Sequence, residues 1–342
     1  MVNCTNSSCE KVELKSGYDL PVYGLDSGSF YYLHIPALFC IFCSFSCVVT
    51  ALTLSFRNRD YKKFFSWAKS ERFVVYLAIC DGGFNIFHSM DHMQYVITKD
   101  HVRPKELCEF YAFSLAEFVA SQTLLVNIVA INAFTLMVLK KNINFGKYDW
   151  RLLAWTFGLP FIGATAVAVT GQLGPNGSSH FAFKYFSCFF DGVTAGTANI
   201  CFTTVPLLLV LIMNSVMYAV TWKRIREETH NLHTNLRIQN ITKKSKRAAK
   251  NMSMFVVAFF IQWGPLSLFG IWGLIDVNIP LPLFHIVTVF CNIGGCLNLI
   301  IYLIIRRRHS REKRKANEDT QVNSCELKTV CNDAGCVPIV KT

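Results

Sequence analysis

Ionisable side chains inside long apolar runs are the residues of this chain that could carry chemistry. Asp81 stands in the middle of one run, in the sequence LAICDGG, and His88, Asp91 and His92 follow it on the same run. A charged group within hydrocarbon costs about 2.5–3.5 kcal/mol, so such residues usually have a function and a polar partner. Spacings of three and four place His88, Asp91 and His92 on one face of a helix.

Two further polar positions extend this group. Glu117 lies nine residues after Cys108, and His285 opens the last apolar run. Together with His88, Asp91 and His92, and with Trp263 as a sixth lining residue, they predict a polar, acidic ligand cavity, with simple hydrogen bonding between helices as the alternative. Two histidines and one carboxylate on a single helix are a weak metal pattern, so no metal site is predicted.

We also predict a polar partner for Asp81 and a hinge, both in later apolar runs. Asp81 needs a polar partner, and Asn298 in the last run is our candidate; a contact that only specifies packing is the alternative reading. Trp263 and Pro265 occur together in FFIQWGP. A proline removes one helical hydrogen bond, which predicts a kinked helix that can pivot with Trp263 at the bend.

The elements that must hold these residues are apolar helices that cross a membrane. The seven runs are Tyr31–Phe56, Phe73–Ile97, Leu107–Leu139, Leu152–Thr170, Val193–Trp222, Met252–Ile275 and Leu283–Ile305. Each is long enough to cross about 30 Å of hydrocarbon. With the N-terminus outside, the outer segments hold 6 of the 34 basic residues and the inner segments hold 28. Because Lys and Arg collect on the cytoplasmic side, we predict an all-α membrane protein, a seven-transmembrane helix bundle with its N-terminus outside.

Composition agrees with one membrane domain in a lipid bilayer. Hydrophobic residues make up 52% of the chain and charged residues only 16%. We expect an extracellular glycosylated tail over residues 1–30, the bundle over 31–305, and a cytoplasmic amphipathic helix with a disordered tail over 306–342. Sequons at Asn3, Asn6 and Asn176 fall on the outer side. The net charge of +12 suits an anionic inner leaflet and predicts no nucleic-acid partner.

Ordered landmarks on the seven runs resemble those of rhodopsin-like G-protein-coupled receptors. Cys108 and Cys188, both on the oxidising outer side, match the family disulfide. The other matching residues are Asp81 in the second helix, Trp155 and Pro160 in the fourth, Pro206 in the fifth, Phe259, Trp263 and Pro265 in the sixth, and Asn298 with Tyr302 in the seventh. The resemblance implies an extracellular ligand, a heterotrimeric G protein and a plasma-membrane location. We expect no cofactor, and a regulatory sodium ion held by Asp81 and Asn298 is a hypothesis.

The chain also departs from that pattern. The third run ends in AINAFTLMVLKK, without the acidic–arginine–aromatic triplet of the family. Leu299 replaces the proline of the seventh-helix motif, and Asn214 stands where the fifth helix usually has tyrosine. The ending of the third run looks closer to the slime-mould cyclic-AMP receptors.

Several functions are excluded or kept as alternatives. The run Leu283–Ile305 contains no lysine, so no retinal Schiff base is expected. Leu115 stands where amine receptors have aspartate, so a monoamine ligand is unsupported and the ligand class stays open. A decoy or scaffold that does not couple is the first alternative, and a transporter is the second. The chain shows no metal motif, nucleophile elbow or paired carboxylates, so we expect no enzyme.

Overall fold

The computed structural model describes residues 2–5, 8–11, 14–22, 24–25, 28–57, 60–176, 187–230, 236–275, 280–308, 310–311 and 314. The chain divides into two compact units, Met1–Leu299 and Ile300–Thr342. The second unit contains the end of the last membrane helix. The predicted tail beyond residue 314 lies outside the described residues.

Six helices are long and apolar enough to cross a membrane, and a bent pair of helices makes a seventh span. The six are Phe30–Phe56, Lys69–Thr98, Lys105–Met137, Lys147–Val169, Gly196–Glu227 and Lys246–Trp272. The pair is Pro282–Cys291 and Gly294–Arg308, with 49° between its halves. We number these spans one to seven in chain order. The predicted seven-helix bundle is confirmed, and each span begins and ends within a few residues of its apolar run.

Prolines shape the fourth and fifth spans by widening the helix. The fourth span contains the π-helical turn Ala154–Gly158, and the fifth contains the π-helical turn Ile200–Thr204. Pro160 and Pro206 follow these turns and have no N–H for the carbonyl four residues earlier. Each of these two prolines therefore follows a π-helical turn in its span.

The sixth span is continuous, whereas the seventh span is broken. The sixth span is part of the helix Leu236–Ile275, which runs without interruption through Pro265. The seventh span breaks after the helix Leu281–Cys291, next to Gly294 and Gly295. Gly294 has no room for a side chain, because a Cβ atom there would lie 2.3 Å from Asp81 Oδ1.

A short strand pair covers one end of the bundle, which we call the outer end. Leu173–Pro175 pairs antiparallel with Cys188–Phe190, and the Cys108–Cys188 disulfide joins this pair to the third span. A second antiparallel pair joins Val2–Thr5 to Ser8–Lys11. We call the opposite end of the bundle the inner end.

A short 3-10 helix, Gly17–Asp19, packs onto the strand pair. The Gly17 N–H donates to Asp191 Oδ2 at 2.7 Å, and the Tyr18 hydroxyl donates to the Val102 carbonyl at 3.2 Å. Burial, and secondarily the charge of Glu109, raises the pKa of Tyr18 to about 12. The third span, inside the bundle, packs against the second, fourth, fifth and sixth spans.

Candidate ligand cavity and interior polar network

A cavity lies at the outer end of the bundle, beside the strand pair. It has about 720 Å³ of empty space, including its open mouth. Five spans and the strand pair form its walls, through side chains that include Phe84, Leu115, Phe189, Leu207 and Trp263. Among the described residues that line it, none is Asp, Glu, Lys or Arg. The cavity is therefore suited to an uncharged, largely apolar molecule.

Only two of the six side chains predicted for the pocket line this cavity, His88 and Trp263. The other four lie elsewhere: Asp91, His92, Glu117 and His285. The predicted acidic character of the cavity is wrong for the described lining. The physical reason is that each buried carboxylate points to a different part of the fold.

Asp91 holds the outer strand pair in place. Its side chain is fully buried, and both of its carboxylate oxygens lie 3.2 Å from the backbone N–H of Cys188. The same cysteine forms the disulfide to Cys108. Asp91 thus connects the second span to the outer strand pair through a hydrogen bond.

Three buried histidines form a continuous hydrogen-bonded chain between the first, second and seventh spans. His34 Nδ1 lies 2.6 Å from His92 Nδ1, and His92 Nε2 lies 3.0 Å from His88 Nε2. His88 Nδ1 then lies 2.9 Å from Asn292 Oδ1, at the break of the seventh span. The sequence missed His34, which is 58 residues from His92.

One arrangement of protons lets three neutral histidine rings form all of these hydrogen bonds. Asn292 Oδ1 only accepts, so His88 Nδ1 must donate to it; His92 Nε2 then donates to His88, and His34 Nδ1 donates to His92. The remaining nitrogen, His34 Nε2, becomes an acceptor, and it is buried with no partner among the described residues. The unpaired nitrogen is therefore the expected end of the chain.

We predict that His92→Phe destabilises the protein, because it leaves a donor on His34 and an acceptor on His88 unpaired. Each orphaned group costs roughly 1–3 kcal/mol. The measurement is thermal unfolding of purified protein. His285→Phe is the control, because His285 is not one of the hydrogen-bonded histidines. Equal stability of the two variants would contradict the hydrogen-bonded chain.

Glu117 faces away from the cavity on the third span. Its Oε1 atom accepts from Ser121 at 3.0 Å, and its Oε2 atom is buried with no partner in the described part of the chain. Leu115 and Val119 line the cavity instead. Two residues turn a helix by about 200°, so a residue between these two faces the opposite side.

Asp81 lies at the centre of a buried network between four spans. Its Oδ2 atom accepts from Asn298, the partner that the sequence predicted. Its Oδ1 atom lies 3.0 Å from Gln122 Nε2 and 3.5 Å from Gln262 Nε2. The two glutamines, which the sequence analysis missed, also bond to each other at 3.0 Å.

These contacts fix the orientation of both glutamine side chains. Gln122 Nε2 lies between two acceptors, Asp81 Oδ1 and Gln262 Oε1, so this atom must be the donor nitrogen. Gln262 Nε2 in turn donates to the Cys291 carbonyl at 3.2 Å. The carboxylate of Asp81 is therefore surrounded by N–H groups of three carboxamides.

The family resemblance implies a sodium ion at Asp81, and the residues present do not fit one. Alkali and alkaline-earth cations take oxygen ligands, whereas three amide N–H groups here direct their positive ends at the carboxylate. A bound cation would have to displace the hydrogen bond from Gln122. The protein's own donors thus take the role that a sodium ion would have.

Phe259 and Trp263, the aromatic pair of the sixth span that matches the family, are both buried. Trp263 is 1% exposed and Phe259 is 2% exposed. The Trp263 ring packs edge-on against Phe84 with 5.9 Å between ring centres. Tyr302 lies in the second compact unit, where its hydroxyl is 3.5 Å from Arg306 Nη1.

An apolar cluster closes the inner end between the third, fifth and sixth spans. Met137, Ile225 and Ala249 are packed together there and are 0%, 8% and 1% exposed. The neighbouring Asn132 donates to the Met252 sulfur at 3.1 Å. The cluster of Met137, Ile225 and Ala249 lies at the inner end of the third span, which lacks the arginine of the family.

A buried ion pair lies at the same end and was missed in the sequence. Arg72 Nε is 2.7 Å from Asp149 Oδ2, and Arg72 Nη2 is 3.1 Å from Asp149 Oδ1. The Tyr76 hydroxyl donates to Asp149 Oδ2 at 2.9 Å. The sequence counted Arg72 only as one basic residue of an inner segment, and nothing local marks Asp149 as its partner.

The predicted glycosylation sites differ in how far the structure describes them. Asn3 lies in the strand Val2–Thr5, and Asn6 lies outside the described residues. Asn176 is 7% exposed and lines the cavity, so a glycan on it would need this side chain to leave the interior. Its burial counts against glycosylation at this position.

Comparison with known proteins supports the architecture. The family model described as 7 transmembrane receptor (rhodopsin family) matches residues 49–302. No curated protein matches the sequence. The match covers most of the chain: it includes the second to sixth spans completely, most of the seventh and the end of the first. The protein therefore belongs to the rhodopsin family of seven-transmembrane receptors and is a multi-pass membrane protein.

Proposed function

We propose that this receptor binds an extracellular ligand in the outer cavity and transmits that binding to a heterotrimeric G protein at its inner end. In the predicted orientation the outer end lies outside the cell, and the family resemblance implies a receptor of the plasma membrane. Membership in the receptor family supports this function in general, and the geometry of the sixth span supports it in particular.

The observation that carries the proposal is that one unbroken helix joins the cavity to the inner apolar cluster. Trp263 lines the cavity, and Ala249 closes the inner end on the same helix, Leu236–Ile275. The two residues are 14 positions apart, or about 21 Å at the helical rise. A ligand that displaces Trp263 can therefore move the segment that holds the inner end closed.

The inner end also offers charges to a partner. Exposed basic side chains at this end include Lys223, Arg226 and Lys250, next to the closed cluster. Opening the cluster would join an apolar opening to a basic rim. This combination suits a G protein, which is the partner that the family resemblance implies.

A receptor that does not couple, acting as a decoy or scaffold, is the second candidate. The third span lacks the arginine that most of the family uses near its inner end. Nucleotide exchange on G proteins separates the two functions, because a decoy binds its ligand without accelerating exchange.

We predict that Ala249→Leu raises basal nucleotide exchange. The added carbons do not fit between Met137 and Ile225 and destabilise the closed arrangement by about 1–3 kcal/mol, which corresponds to roughly a tenfold shift toward the open one. The measurement is exchange on a panel of G proteins in membranes that overexpress the receptor.

Val257→Leu is the matched control, because Val257 lies on the same helix and is 46% exposed. It should leave basal exchange unchanged. A folded Ala249→Leu receptor that activates no G protein of the panel would favour the decoy function.

A further inference from the structure

A second cavity lies between the third, fourth and fifth spans and adjoins the first. It has about 1080 Å³ of empty space, including its open side. Val119, Phe189, Thr203 and Leu207 line both cavities. Four side chains therefore form the common wall between the second cavity and the candidate ligand cavity.

The rim of the second cavity lies on the outside of the bundle. Leu159, Ile162 and Phe202 line it and are 46%, 67% and 47% exposed. These apolar residues belong to membrane spans, and exposed apolar side chains of a span contact lipid tails. The cavity thus opens toward hydrocarbon.

The fourth and fifth spans, which form two walls of the second cavity, each contain a π-helical turn. In the fourth span the Leu159 N–H bonds to the Ala154 carbonyl, and in the fifth the Val205 N–H bonds to the Ile200 carbonyl, each five residues back. Such π-helical turns occur frequently at functional sites. Phe202 and Thr203, from the turn in the fifth span, point their side chains to the cavity.

The lining defines the chemistry of an occupant. No Asp, Glu, Lys or Arg lines either cavity among the described residues. The second cavity is almost entirely apolar, while Asn199 and Ser267 offer uncharged hydrogen-bonding groups in the first. A molecule with one hydrocarbon chain and a neutral polar head would match the two cavities in turn.

We propose that the receptor binds a neutral single-chain lipid, with its hydrocarbon chain in the second cavity and its head in the first. The lipid enters from the bilayer past Ile162, and its head reaches Trp263 when the side chains that separate the two cavities move aside. The inference that this lipid is an activating ligand rests on the proposed function, whereas the binding site itself does not.

The test uses the full-length receptor in nanodiscs of fixed lipid composition, with three probes: 1-oleoylglycerol, oleate and glycerol. At a concentration a hundred times its dissociation constant, 1-oleoylglycerol should raise Tm by roughly 5 °C. Oleate, which carries a charge, and glycerol, which lacks the chain, should leave Tm unchanged. An equal shift with oleate would overturn the neutral head, and no shift with 1-oleoylglycerol would overturn the site.

A matched pair of variants localises the binding. Gly163→Phe fills the second cavity, since a Cβ atom at Gly163 already lies 3.3 Å from Phe202. Gly158→Phe, on the same span, adds the same side chain where a Cβ atom meets open space. The shift should be lost in the first variant and kept in the second; a shift kept in both would refute the site.

Photolabelling gives a readout that does not depend on variant folding. A 1-acylglycerol with a photoreactive group in its chain should label wild-type peptides from residues 116–124, 159–167 and 202–207. Labelling confined to other spans would refute the proposal. A receptor that stimulates nucleotide exchange on a G protein but fails these tests would refute the lipid site and leave the proposed function intact.

Discussion

Arg72→Met is expected to lower the free energy of unfolding by about 3–5 kcal/mol, because it leaves a buried carboxylate without its cation. The side chains of Arg72 and Asp149 are only 10% and 5% exposed. Arg72 Nη1 also donates to the carbonyls of Phe65 and Trp67, at 2.9 and 2.6 Å. The substitution therefore removes one ion pair and two hydrogen bonds that close the inner end.

The backbone of Asp149 makes escape from this position difficult. Asp149 has φ 56° and its neighbour Tyr148 has φ 60°, the left-handed conformation that side chains rarely adopt. Because Arg72 and Tyr76 hold the carboxylate, they also stabilise this strained turn.

Denaturant titration of the purified receptor in detergent micelles measures the change. Lys105→Met is the control, since Lys105 forms an exposed pair with Glu109 at 3.3 Å and should contribute at most about 1 kcal/mol. The double variant Arg72→Met with Asp149→Leu should recover part of the loss, because it removes the unpaired charge as well. A single Arg72→Met variant as stable as Lys105→Met would show that the pair contributes little.

Gln122→Ala is expected to make the receptor respond to sodium. In the wild-type protein three amide donors surround Asp81, so Tm should be the same in NaCl and in KCl at matched ionic strength. Removing the Gln122 side chain opens space beside Asp81 Oδ1 and frees Gln262 Oε1, the two oxygens that it now occupies. Both oxygens then become available as cation ligands.

At ten times the dissociation constant, a bound ion would stabilise this variant by about 1.4 kcal/mol, or a few degrees in Tm. Gln94→Ala is the matched control. Gln94 donates to the Arg103 carbonyl at the outer end, and it lies on the same helix as Asp81 but about 20 Å away at the helical rise. A sodium-dependent Tm in the wild type would contradict the fit argument. A Gln122→Ala variant that ignores sodium would show that the freed oxygens are too few.

Some interior contacts could be predicted from single residues of unusual type. Asp81 and Asn298 are rare polar residues in apolar runs, so each needed a partner and each was the best candidate for the other. Cys108 and Cys188 were both placed on the oxidising side, and the family resemblance implied a disulfide between them. The aromatic pair of the sixth span followed from the family resemblance.

Other contacts could not be predicted, because their partners look ordinary along the chain. Gln122 and Gln262 are 140 residues apart, and Arg72 and Asp149 are 77 apart. His34 stands alone in the first run, so nothing marked it as the end of a histidine chain. Glu117 was placed in the pocket because its depth was known while its direction around the helix was not.

The sequence by itself determined the number of spans, their approximate limits and the sorting of basic residues. These properties can be read from the sequence, since insertion into the bilayer depends on hydropathy and charge along the chain. The tertiary structure decided which face of each span points inward, and therefore the lining of both cavities and the partners of Asp81, Asp91 and Asp149. A soluble helix reveals its inner face by its apolar stripe, but lipid is as apolar as the interior of a bundle. Helix rotation is consequently set by packing between spans.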